Sequence, residues 1–112
     1  MESKRQQKVA KQIQRDLGEI FQEEARLYFR NALITVTKVN ISRDLSVAKI
    51  NLSLFSTEDK QELLDEIKER AKEIRHKLAA RVKHQLRIVP QLLFYEDDSL
   101  DYIDNIENLL KE

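Results

Sequence analysis

The apolar residues change their spacing twice along this chain, from helical to alternating and back to helical, and that succession limits the folds open to it. Val9, Ile13, Leu17, Ile20 and Phe21 recur three and four residues apart, as one buried face of a helix over residues 4–28 requires. Ser3 with Gln6 three residues later is a capping box at its start. Gly18, the single glycine of the sequence, falls inside this pattern at a cost of about 1 kcal/mol relative to alanine. The period then drops to two. Leu33 to Thr37 is rich in β-branched side chains, and Ala48, Ile50, Leu52 and Leu54 alternate with Val47, Lys49, Asn51 and Ser53. Strands are predicted over 33–41 and 46–55, and the turn residues Ser42, Arg43 and Asp44 join them as a hairpin.

Helical spacing returns over 57–86 through Leu63, Ile67, Ala71, Ile74, Leu78 and Val82, with Ser56 and Asp59 as a capping pair. A straight helix of that length would extend about 45 Å, far past a small sheet. A bend is therefore expected within Arg70–Ile74, although neither glycine nor proline marks one. Pro90 disfavours helical geometry at Val89 and ends the segment. Gln91 to Tyr95 forms a third strand, and Asp98 and Ser99 precede a last amphipathic helix carrying Leu100, Ile103, Ile106 and Leu110. The order α-β-β-α-bend-α-β predicts an α+β fold, a three-stranded sheet with helices on one face. Residues 1–98 form the domain and 99–112 an acidic helical tail.

At 112 residues the chain is one domain. It has no cysteine, which excludes disulfides and thiolate metal sites, and no apolar run near the roughly 18 residues of a membrane span. The polar start gives no signal peptide, so the expected location is the cytoplasm, with no membrane contact. A formal net charge of zero argues at first against nucleic acid, but it is a sum of opposed blocks. Residues 1–15 carry a net +4, residues 66–87 a net +5 and residues 96–112 a net −6. Such asymmetry suggests a basic binding surface and an acidic tail.

Lys4, Lys8, Lys11 and Arg15 are spaced four, three and four apart, which aligns them on the helix face opposite the apolar stripe. An ordinary solvated face mixes charge signs; this one does not, which favours phosphate contact. In the second helical region Arg75 and Lys83 flank the stripe on one side, Lys77 and Arg81 on the other. These four are RNA candidates too, although long cationic stems commonly cover a core edge while their charges reach water. Arg43 at the hairpin tip is a further candidate. His76 and His84 lack the companions of a metal site, and Asp97, Asp98 and Asp101 suit a strand exit and helix start rather than Mg²⁺. One glycine cannot build a Walker loop, dinucleotide turn or nucleophile elbow, so no enzyme, cofactor or small-molecule substrate is expected.

Three segments sharpen the picture. Ile41-Ser42-Arg43-Asp44-Leu45 with Ala48-Lys49, then Val89-Pro90-Gln91-Leu92-Leu93-Phe94 running into Asp97-Asp98-Ser99, and the opening Val9-Ala10-Lys11-Gln12-Ile13 resemble the ribosome-binding factor A family. The resemblance covers roughly residues 5–100 and implies a KH-like (type II) domain. It implies a factor that associates with the small (30S) ribosomal subunit, assists late maturation and 5′-end processing of small-subunit rRNA, has no catalytic role and serves growth in the cold. The family replaces the KH GxxG loop by an interhelical kink of the form Ala-x-Gly; the residues that align here are Ala71, Lys72 and Glu73, with glutamate in place of glycine. The free protein is expected to be a monomer whose partners are the small subunit and its rRNA. From the residues alone, the alternative is a protein–protein adaptor whose basic helices meet an acidic partner.

Overall fold

A computed structural model describes residues 3–55 and 59–97. Helix α1 (Lys4–Tyr28) leads into strands β1 (Leu33–Ile41) and β2 (Val47–Phe55), then helices α2 (Lys60–Glu69) and α3 (Ala71–Val82), then strand β3 (Gln91–Glu96). The expected order is therefore present up to the third strand; the expected tail helix and Ser56 lie outside the described residues.

The sheet runs β1-β2-β3. The hairpin pairs β1 and β2 antiparallel from Leu33↔Phe55 to Ile41↔Ala48, while β3 lies parallel to β2 from Val47↔Gln91 to Leu52↔Glu96. A parallel neighbour needs a crossover, and α2 and α3 supply it. The ladder slips at Thr37, between Val36 and Lys38, and the Val36 carbonyl accepts from Gln14 Nε2 of α1 at 3.0 Å. The inward rows Ile34, Val36, Val39 and Ile41 of β1, Ala48, Ile50, Leu52 and Leu54 of β2, and Leu92 and Phe94 of β3 meet Ile13, Leu17, Ile20 and Phe21 of α1 and Leu63, Ile67, Ile74, Leu78 and Val82 of α2 and α3. Phe21 and Phe94 pack edge to face, with centroids 5.8 Å apart.

The ends of α1 are chemically distinct. At the start, the Ser3 hydroxyl accepts from Gln6 N and Gln6 Oε1 accepts from Ser3 N, the expected capping box. Gln6 also donates through Nε2 to Ile41 O at 2.8 Å, which fastens this end of α1 to the hairpin. At the other end Arg30 and Asn31 take left-handed backbone angles, φ 55° and 58°, and Asn31 N donates back to Ala25 O. Two non-glycine residues thus make the reversal that glycine usually makes.

The bend between α2 and α3 exists. It falls at Arg70, immediately ahead of the expected Ala71, Lys72 and Glu73, which form the first turn of α3. Arg70 has φ −96° and ψ 11°, and its N–H bifurcates to Glu66 O and Ile67 O. That bridge region is open to any L-residue, so the break needs no glycine. At its start α2 is capped by Asp59, whose carboxylate accepts from Glu62 N at 2.9 Å. Helix α3 ends at Val82, four residues short of the expected 86; Val82 O accepts from both Gln85 N and Leu86 N, a tightened last turn.

Candidate nucleic-acid interface

The outward face of α1 follows from its inward one. With Val9, Ile13, Leu17 and Ile20 buried, Lys4, Lys8, Lys11 and Arg15 stand exposed on the far side. None of the four side chains has a hydrogen bond or ion pair among the described residues. They span about 16 Å of helix axis at 1.5 Å per residue. Gln6 brings the start of this row beside the hairpin, whose exposed tip carries Arg43. Asp44, next in the turn, is turned inward chemically: its Oδ1 accepts from the Ser42 and Ser46 hydroxyls at 2.8 and 2.7 Å and from Ser46 N at 3.1 Å. These bonds, with the Ser46 hydroxyl foremost, hold the Asp44 carboxyl down at about 2, below its ordinary 3.8.

The second group of candidates sits differently. Arg75 donates Nη2 to Val89 O at 2.6 Å and Nε to Pro90 O at 3.1 Å, pinning the chain before β3. Lys77 Nζ lies 3.1 Å from Glu24 Oε1, and Arg81 Nε 3.2 Å from Asp16 Oδ1. Arg81 also pairs with Glu19. These three are therefore engaged within the protein, whereas Lys83, just past α3, is exposed and without a partner among the described residues. His76 and His84 are exposed, and no group of three metal-ligating side chains assembles among the described residues.

The acids that hold this flank were not among the residues foreseen from the sequence. Glu24 is wholly buried and takes Arg70 side-on, Nε to Oε2 at 3.0 Å and Nη2 to Oε1 at 3.2 Å, with Lys77 as third donor. The Arg70 guanidinium also lies over the Tyr28 ring, 3.6 Å from its centroid. The Glu24 hydrogen bonds raise the Arg70 pKa. Asp16, 5% exposed, binds Arg81 and Gln12 Nε2. The signal was available. Asp16 and Glu24 fall in the apolar register of α1, eight residues apart, and Arg70, Lys77 and Arg81 fall on a single flank of α2 and α3.

A cleft adjoins the start of the cation row. It measures about 640 Å³ and opens where the start of α1, the hairpin tip and the connection after α3 converge. Arg5, Lys8 and Val9 line it from α1, Leu45 from the tip, and Leu86, Arg87, Ile88 and Pro90 from the connection.

The fold and its cation row define a small α+β domain with a positively charged, exposed face on its first helix. Comparison with known proteins narrows the class. The family model described as ribosome-binding factor A matches residues 5–110. Ribosome-binding factor A of Cytophaga hutchinsonii is 46% identical over 112 residues, covering all of this chain and 84% of that protein. The crystal structure of ribosome-binding factor A from Thermus thermophilus superposes with a TM-score of 0.66 at 28% identity, covering 81% of this chain and 94% of the other. A Thermus thermophilus ribosome-binding factor A homology model fitted into the cryo-EM map of its complex with 30S gives 0.61 at 28% identity, covering 79% and 90%. The chain belongs to the ribosome-binding factor A family.

Proposed function

We propose that this protein docks on the small (30S) ribosomal subunit by neutralising rRNA phosphates. There it assists late maturation of the subunit, including 5′-end processing of its rRNA, as a cytoplasmic, non-catalytic factor that supports growth in the cold. The observation that carries the reading is the row Lys4, Lys8, Lys11 and Arg15, four exposed cations without acidic partners among the described residues. Family membership and the Thermus complex with 30S support the same partner. Arg43 and Lys83 extend the contact. Arg75, Lys77 and Arg81 add to the positive field, but their donors are engaged in the fold.

Each phosphate neutralised on duplex RNA releases condensed counterions. Four contacts give a log–log salt slope of about −3 to −4, by analogy with B-DNA. Changing Lys4→Glu, Lys8→Glu, Lys11→Glu and Arg15→Glu together should leave circular dichroism and melting nearly unchanged, because these side chains support no buried contact. The same variant should no longer co-sediment with small subunits, and cells carrying it should accumulate unprocessed small-subunit rRNA. Co-sedimentation that survives the quadruple change at moderate salt would remove α1 as the docking face. Co-sedimentation with an RNA-free protein fraction instead would favour a protein adaptor.

A further inference from the structure

The cleft at the start of α1 differs from the cation row in having an apolar floor. Leu45 and Leu86 are half-buried against the core, and Ile88 is 72% exposed, the most exposed large apolar side chain of the described residues. An isoleucine so placed covers nothing in the fold, yet it forms a wall of this cleft. Arg5, Lys8 and Arg87 stand at its rim, exposed and without acidic partners among the described residues. The acid among the described lining residues, Asp44, is satisfied by the hydroxyls and N–H of its own turn. The cleft therefore offers flat apolar contact and anion binding within one small volume.

We infer that this cleft receives a single unstacked nucleotide of the bound RNA. The inference rests on the proposed rRNA docking and gives that contact a nucleotide-sized focus. Lys8 belongs both to the cation row and to the cleft rim, so a backbone held along α1 passes the mouth of the cleft. RNA is read where bases leave the helix, and a base can lie on a guanidinium plane as well as on an aromatic ring. Arg5 and Arg87 supply two such planes where no aromatic among the described residues lines the cleft. Leu45, Leu86 and Ile88 take the base faces, and Lys8 takes a flanking phosphate. A peptide partner would share the apolar contact, but continuity with a row of cations unpaired among the described residues favours a phosphodiester backbone.

The experiment compares two RNA hairpins that differ by one bulged 2-aminopurine nucleotide. Binding of the full-length protein to the bulged RNA should be about tenfold tighter than to the fully paired twin, a stacking-sized gain, with a change in 2-aminopurine emission. Ile88→Ser should bring the two affinities together without weakening the paired RNA, and Ile88→Trp should restore the gap. Equal affinities in the unaltered protein, or a gap that survives Ile88→Ser, would overturn the inference while leaving duplex docking intact. Failure to bind either RNA, with loss of small-subunit co-sedimentation, would instead overturn the proposed function and this inference with it. A photoreactive residue at position 88 in the small-subunit complex should link to rRNA; linkage to a ribosomal protein would assign the cleft to a peptide.

Discussion

Replacing Glu24 by glutamine tests how the two long helical segments are held together. The carboxylate is wholly buried and receives three donors, two from Arg70 and one from Lys77. Glu24→Gln keeps the volume but removes the charge and turns one acceptor into a donor facing a cation. Breaking a buried ion pair from one side costs about 3–5 kcal/mol. Here the side chains of Arg70 and Lys77 are 26% and 37% exposed and can recover water, so a loss of about 2–3 kcal/mol follows. With a urea slope of roughly 1–1.5 kcal/mol/M for a domain of this size, the midpoint in circular dichroism should fall by about 2 M. Arg70→Ala should cost at least as much, because it removes two of the three donors and leaves the carboxylate buried. Lys77→Ala should cost less, since it removes one. Glu24→Leu combined with Arg70→Met should recover much of the loss, because the apolar pair leaves no buried charge and Lys77, 37% exposed, can turn to water. A midpoint shift below about 0.5 M for Glu24→Gln, or equal costs for Arg70→Ala and Lys77→Ala, would refute this account.

Two further changes probe local chemistry. Gly18→Ala should stabilise the protein by about 0.5–1 kcal/mol in thermal melts, since a Cβ there meets no atom within 4 Å and helical glycine is entropically costly. Destabilisation would mean that α1 packs more tightly at this point than its surroundings indicate. Asp44 contributes stability that is complete above its ordinary pKa of 3.8 and lost as the pH falls through about 2, because the folded state favours the ionised carboxyl. Ser46→Ala should raise the Asp44 midpoint in a carboxyl NMR titration, and an unchanged midpoint would show that Ser46 does not hold it.

Periodicity carried most of the fold. The stripe from Val9 to Phe21 and the alternation from Ala48 to Leu54 placed α1 and the hairpin within a residue or so, because burial leaves its mark at fixed intervals. The bend was legible from length alone, and its place at Arg70 was not. A backbone angle of φ −96°, ψ 11° leaves no compositional trace when any residue can adopt it. The helix expected through 83–86 overran for a similar reason: Val82 closes α3 through two bonds to its carbonyl rather than a glycine stop. Among the site residues, the aligned cations of α1 were readable because spacing shows a shared face. The tethering of Arg75, Lys77 and Arg81 was not, since it depends on Val89, Pro90, Asp16 and Glu24 arriving from elsewhere in the chain. A capping box announced Gln6, but nothing local disclosed that its amide would also reach Ile41.

The parallel placement of β3 has a consequence for how the chain is made. During synthesis α1, β1 and β2 leave the ribosome first, and their contacts are short in sequence, so a helix-backed hairpin can assemble early. Strand β3 is the last described element and pairs with β2 only after the α2–α3 crossover has formed. Until then β2 presents a bare edge to its surroundings, and bare edges recruit other chains. Lys49, exposed within the stretch that later pairs with β3, places a charge where a second copy would dock. The nascent chain is thus most vulnerable between emergence of Phe55 and arrival of Glu96, and a stall in that interval is where aggregation should begin.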